Sequence, residues 1–315
     1  MNDLKYSNTI LVNVAIVSIV PFLIWGPFFP DLIVSFSSLY FLYYVIKNDK
    51  FNFFLNKPLV IFFIFCIYSI LLSLFVAEDM MLSFESSLFY FRIGVFSCFV
   101  WYLIDKEKII LTYFYYALIL SFLALVIDGY IQYFMGENLL GFKVSGNRVS
   151  SFFGDELIMG SYLSRLFPLM FALFLVKQKN KFEIYFIGLL FIAVDILIFM
   201  SGERTAFFFL NLSTVFIIIL IKEYQKFRLA TFIVAIICII VLSLYSTNLN
   251  NRMFKTPAQN MGLIKSSKVK DPVIFSPAHD SLFRTAFNMF KEKPILGHGP
   301  KMFRVLCKEE KYRIG

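Results

Sequence analysis

The sequence predicts an all-α polytopic membrane protein, because it is 59% hydrophobic and 19% aromatic while only 16% of its 315 residues are charged. A soluble domain carries about a quarter of its residues as charges, and a single core of this length could not bury so much apolar surface. Apolar runs of roughly 20 residues recur along the chain, the length a helix needs to cross a bilayer. Segments of about ten residues with alternating polarity, the mark of a membrane β-barrel, are missing from the sequence.

The apolar runs place about nine spanning helices near 8–26, 30–46, 57–76, 84–104, 109–135, 155–176, 182–200, 203–221 and 229–246. The first run lacks a small-residue cleavage site and is followed at once by further spans, so it reads as a span and not a removable signal. Pro168 removes a helix hydrogen bond and predicts a kink in the sixth run, and Pro21 does the same in the first. Cys66, Cys98 and Cys238 fall inside apolar runs and read as small hydrophobes. Cys307 has no partner in its own segment.

Basic residues in short loops set orientation. With the N-terminus inside, the inner segments hold Lys5, Lys47, Lys50, Lys57, Lys106, Lys108, Lys177, Lys179, Lys181, Lys222, Lys226 and Arg228, twelve against three (Lys143, Arg148 and Arg204) outside. The N-terminus is therefore expected in the cytoplasm, and everything after residue 246 outside. The chain divides into a helical region, 1–246, and a loop region, 247–315. The loop region carries 13 Lys/Arg against five Asp/Glu, so +8 of the chain's +9 sits there. A basic surface at the outer face suits an anionic ligand such as phosphate, diphosphate or acidic glycan, and nucleic acid is not expected in that place.

Ionisable residues within spans are costly and mark cavities or relays. Arg92 and Arg165 fall near the membrane middle, and Asp128, Asp195 and Arg204 towards the outside, which predicts a polar cavity opening outward. Three local stretches stand out. In Asn147-Arg148 through Tyr162, an outer loop enters a helix with Asp155 and Glu156 in its first turn. In Ser201-Gly202-Glu203-Arg204-Thr205-Ala206, Ser201 or Gly202 is expected to cap a helix from whose first turn Arg204 projects, where free N–H groups and a guanidinium make an anion site. From His279 to Gly299, Asp280 or Ser281 is expected to cap an amphipathic helix that Pro294 stops. Its stripe of Leu282, Phe283, Ala286, Phe287 and Phe290 would lie on the membrane or pack on the spans.

In this order the motifs resemble the O-antigen ligase and O-antigen polymerase family of bacterial envelope glycosyltransferases. The likeness rests on Gly202-Glu-Arg204-Thr-Ala206, on Asp280-Ser-Leu-Phe-Arg284 and its amphipathic helix, and on Pro294-Ile-Leu-Gly297-His-Gly299. It implies a GT-C-like fold in the bacterial inner membrane and a reaction that needs no metal or other cofactor. A glycan would pass from an undecaprenyl-diphosphate carrier to a lipid A core or to another carrier-linked repeat, at the periplasmic face. By the resemblance Arg204 and Arg284 are catalytic and hold the diphosphate leaving group, with Arg148, Arg165, Asp280 and His279 as substrate-binding residues.

The family's catalytic histidine follows this loop and precedes further helices, whereas the histidines here are His279 and His298, both upstream of that place. The chain accordingly reads as a fragment truncated at its C-terminus. The reading from a different class is a transporter or flippase of envelope precursors, which also needs an outward cavity with cationic groups but usually shows internal repeats.

Overall fold

The computed structural model describes residues 6–146, 148–177, 180–264, 273 and 276–312. Their regular elements are helices: α1 (Tyr6–Val17), α2 (Ile19–Trp25), α3 (Phe28–Lys47), α4 (Lys57–Phe75), α5 (Met80–Leu88), α6 (Phe91–Lys106), α7 (Ile109–Met135) and α8 (Met159–Val176). The series continues with α9 (Lys181–Met200), α10 (Arg204–Leu220), α11 (Gln225–Tyr245), α12 (Thr247–Asn250), α13 (Thr256–Asn260), α14 (Pro277–Glu292) and α15 (Phe303–Leu306).

Among the described residues, seven helical stretches are long and apolar enough to cross a membrane. They are α3, α4, the pair α5 and α6, α7, α8, α9 and α11. The remaining two expected spans correspond to shorter apolar helices, Ile10–Trp25 and Arg204–Leu220. The chain is a polytopic membrane protein on this ground.

Several boundaries differ from the sequence reading for local reasons. The fourth run is broken at Phe89 and Tyr90 into α5 and α6, so Arg92 stands in the first turn of α6, near the middle of the Met80–Lys106 stretch. Asp155 and Glu156 precede α8, in the loop that follows a 3₁₀ turn at Ser151–Phe153, and α8 starts only at Met159. Helix α8 runs on through Pro168. Helix α11 starts at Gln225, which draws Arg228 out of the expected inner loop and into a helix.

The described helices group into two compact units, one of Met1–Pro30 with Glu107–Thr256 and one of Asp31–Lys106 with Pro257–Gly315. In the first unit α7, α8, α9, α10 and α11 pack on one another, and α1 and α2 lie against α7. The core is aliphatic and phenylalanine-rich, with Phe122, Phe167, Phe174, Phe191 and Phe199 fully buried. The Tyr162 hydroxyl of α8 donates to the Val20 carbonyl of α2 at 2.8 Å.

Two buried acids inside this bundle have fixed partners. Arg228 of α11 donates to both carboxylate oxygens of Asp195 of α9 at 2.9 and 3.1 Å and to the Thr214 hydroxyl of α10 at 2.6 Å. Neither charged side chain is more than 1% exposed. Asp128 of α7 accepts from Asn138 Nδ2 (3.1 Å), Leu139 N (2.9 Å) and Ser151 Oγ (2.7 Å). Both acids were candidates for a cavity lining. They are instead fixed by partners from distant segments, as burial of a charge requires.

In the second unit α4 pairs with α5 and with α6. Buried serines fasten the first pair. Ser73 of α4 lies 2.9 Å from the hydroxyls of both Ser87 and Ser83 of α5. Arg92 binds Asp31 (3.1 Å) and Ser35 (3.0 Å) of α3.

Candidate functional site

At the end of the first unit where α7, α9 and α10 meet the loop 136–158, three guanidiniums gather around one carboxylate. The loop is held there by its own chemistry. Gln132 Oε1 accepts from the Ser150 and Ser151 N–H groups at 2.9 and 2.7 Å, and two isolated antiparallel bridges join Glu137 to Lys143 and Ser145 to Arg148. Asn147 lies outside the described residues. Arg148 then crosses to the α9–α10 turn, donating from Nε to the Ser201 carbonyl at 3.0 Å and from Nη2 to the Leu157 carbonyl at 2.9 Å.

The α9–α10 turn carries the next pieces. Gly202 adopts φ +66°, and a β-carbon there would come within 2.7 Å of Arg252 Nε and 2.9 Å of Arg252 Cδ. Only glycine satisfies both the left-handed backbone and that close approach. It lets Arg252, from the helical segment after α11, donate from Nε to the Gly202 carbonyl at 3.0 Å. The N-cap of α10 is Glu203, not Ser201 or Gly202, and Arg204 is its first residue. Ser201 Oγ donates back to the Ile198 carbonyl and accepts from the Glu203 N–H at 3.3 Å.

Glu203 reaches across to the start of α8. Its carboxylate accepts from Gly160 N (2.7 Å), Ser161 N (3.1 Å) and Ser161 Oγ (2.6 Å), and Arg148 Nη2 stands 4.0 Å away. The acid thereby neutralises a helix N-terminus whose N–H groups need an acceptor. Glycine at 160 is required by this closeness, since a β-carbon would lie 2.4 Å from Ser201 Oγ.

One carboxylate cannot balance three cations. Burial lowers the Arg148 guanidinium pKa, Glu203 opposes the shift and Arg204 adds to it. Burial also lowers that of Arg252, and Arg148 and Arg204 push it further down against Glu203. A guanidinium stays charged at neutral pH even so. The cluster is therefore a preorganised, partly desolvated cationic site. With Arg148 and Arg252 anchored on backbone carbonyls, it suits a polyoxygen anion such as phosphate or diphosphate, which takes bidentate guanidinium contacts.

The remaining expected site residues are carried by other elements. Arg165 is exposed on α8 and forms no ion pair among the described residues. Arg284, Asp280 and His279 belong to α14, in the second unit. Arg284 Nε pairs with Asp280 at 2.6 Å, one helical turn apart. Ser276, not Asp280 or Ser281, is the N-cap of α14, with Pro277 in its first turn; serine followed by proline is a strong start signal that outweighs the later acid. Ser276 Oγ also lies 2.6 Å from Nδ1 of the exposed His279. His298, expected as a turn residue, is buried and donates from Nε2 to the Met289 carbonyl at 3.0 Å.

Sequence reasoning missed Arg252. It stands in a polar stretch after the last span and counted only towards the loop's charge. Nothing in its local sequence points to a glycine turn 50 residues earlier. No family model, curated protein or solved structure matches this chain.

Proposed function

We propose that this protein is a glycosyltransferase of the O-antigen ligase or polymerase type. It takes a glycan from an undecaprenyl-diphosphate carrier at the periplasmic face of the bacterial inner membrane and passes it to a lipid A core or carrier-linked acceptor. The observation that supports this reading is the cluster of Arg148, Arg204 and Arg252 around the single acid Glu203. Departure of a glycosyl diphosphate loads negative charge onto the leaving oxygens. Guanidiniums already held in place and partly withdrawn from water, as those of Arg148 and Arg252 are, stabilise that charge most where it develops. Arg204 sits in the first turn of α10, so the helix N-terminus adds to its field. In this reading Arg148 and Arg252, each tied to a backbone carbonyl, position the anion, and Arg204 is the catalytic cation. Arg284 enters through the motif resemblance alone.

The test is Arg204→Lys in the complete gene product. Lysine keeps the charge and can snorkel, but it is a point donor without the planar fork. Transfer from a carrier-linked glycan to acceptor in membranes, normalised to protein level, is expected to fall about a hundredfold or more. Near-normal transfer would reduce Arg204 to an interfacial anchor and remove the main support for the function.

A further inference from the structure

The amphipathic helix α14 exposes an apolar face that no described element covers. At about 100° per residue, Leu282, Ala286, Phe290 and Phe287 fill one arc of about 140°. Leu282 is 50% exposed, and Phe287 and Phe290 are each 55% exposed. Just past the helix, Ile295 is 88% and Leu296 51% exposed, extending the same apolar surface. Asp280, Lys291 and Arg284 follow in the next arc. Thr285 and Met289, buried, complete the circle on the side next to Leu282.

What the buried edge rests on fixes where the helix lies. Met289 packs with Met302, Leu306 and Tyr312 against Ala77 and Leu82. Ala77 lies in the turn joining α4 to α5, that is, at the end of two membrane-spanning stretches. Gly299, at φ +92°, touches the same turn so closely that a β-carbon would sit 2.9 Å from Ala77 Cβ. Helix α14 is thus clamped at the height at which α4 leaves the hydrocarbon. A helix held at that height, with one edge on the protein, an aromatic and aliphatic face, and a charged edge opposite the protein, has the layout of an interfacial helix. The cationic edge borders it, since Lys291 Nζ stands 4.7 Å over the Phe287 ring, a cation–π contact at the margin of the apolar face.

We propose that the apolar face of α14, continued by Ile295 and Leu296, is inserted in the headgroup and upper acyl layer of the bilayer leaflet at the α4–α5 turn. Its partner is membrane lipid, not a protein subunit, because the clamp on the turn of two spans presents this face at the depth where lipid is already packed around α4 and α5. Phe75 and Met81, flanking the turn, are 80% and 74% exposed and belong to the same apolar belt.

The test uses the full chain with its four cysteines replaced, reconstituted in phosphatidylcholine and phosphatidylglycerol nanodiscs. Single nitroxide labels at 284, 286, 287, 288, 290 and 291 are read for collision with oxygen, which concentrates in lipid, and with a water-soluble nickel chelate. Labels at 286, 287 and 290 should favour oxygen, with an oxygen-to-nickel ratio above that of 284, 288 and 291, repeating every three to four residues. Nickel-dominated collisions at 287 and 290 would overturn the proposal by placing the face in water. Protection from both reagents would overturn it by placing the face against protein. A Phe290→Trp variant with Trp25 and Trp101 changed to Phe gives an independent reading. Quenching should be strongest by lipids brominated near the headgroup, and absence of quenching by any brominated lipid again refutes insertion.

Discussion

Replacing Asp195 by leucine leaves the Arg228 guanidinium stranded, and the structure sets the scale of the damage. Arg228 is fully buried and keeps only the hydroxyls of Thr214 and Thr231, at 2.6 and 3.4 Å, once its carboxylate is gone. Its Nε is already without an acceptor. Removing one member of a buried ion pair costs about 3–5 kcal/mol, because the survivor stays desolvated and uncompensated. Arg228→Met should cost a similar amount by stranding Asp195. The double variant removes both charges, and Phe167 and Phe191, whose ring centres lie 4.5 and 5.5 Å from the guanidinium carbon, are ready apolar neighbours for the new side chains. Such double replacements are commonly neutral or stabilising by about 1–4 kcal/mol.

The assay is the apparent melting temperature of detergent-purified protein, at about 2–4 °C per kcal/mol for a unit of this size. Each single variant should lose roughly 6–20 °C, and the double variant should recover to near the parent. Single variants within about 0.5 kcal/mol of the parent, the scale of an ordinary surface change, would refute the buried pair. A double variant that loses the sum of the two would refute the argument from stranded charge.

Other consequences can be checked with smaller effort. Gly202→Ala should displace Arg252 and strain the turn by about 1–3 kcal/mol, and it should weaken pyrophosphate binding in calorimetric titration of the purified protein. Glu203→Gln removes the only acid in the cluster, so it should tighten pyrophosphate binding while costing about 1–3 kcal/mol of stability through the donor left opposed at Ser161. If the carrier diphosphate meets both Arg204 and Arg284, lysine variants at the two positions should lose transfer non-additively, whereas multiplied losses would separate their roles. Three apolar helices separate Lys143 from Lys222, so cysteines there should label from opposite sides of the membrane, with 143 reached from outside. Labelling from one side removes the assigned topology.

What could be read from the sequence was whatever one segment decides alone. Membrane class follows from apolar run length, and α14 from the spacing of Leu282, Ala286, Phe287 and Phe290 with Pro294 as a stop. Arg204 at the start of a helix follows from the turn residues before it. Pairings between segments were out of reach. Asp195 and Arg228 are 33 residues apart, and neither local sequence names the other, so a structural pair was read as a cavity lining and a loop charge. Glu203 shows the same limit: its neighbours suggest a cap for its own helix, while its carboxylate serves α8. The break at Phe89 and Tyr90 lay inside an apolar run whose periodicity gives no warning of it.

The serines between α4 and α5 carry a further implication, for what mutation can reach. Ser73 has a fallback in the Ser69 carbonyl at 2.9 Å, and Ser87 has one in the Phe84 carbonyl at 3.2 Å. Losing a neighbouring hydroxyl therefore leaves neither group unsatisfied in surroundings that offer no water. Stability is then insensitive to loss of the Ser83 or Ser87 hydroxyl, but not to loss of the Ser73 hydroxyl, on which Ser83 relies, or to size, since a larger side chain would part the two helices. Drift at 83 and 87 should run freely between serine and alanine and halt at anything bulkier, so the spacing of the hairpin outlasts the hydrogen bonds that line it.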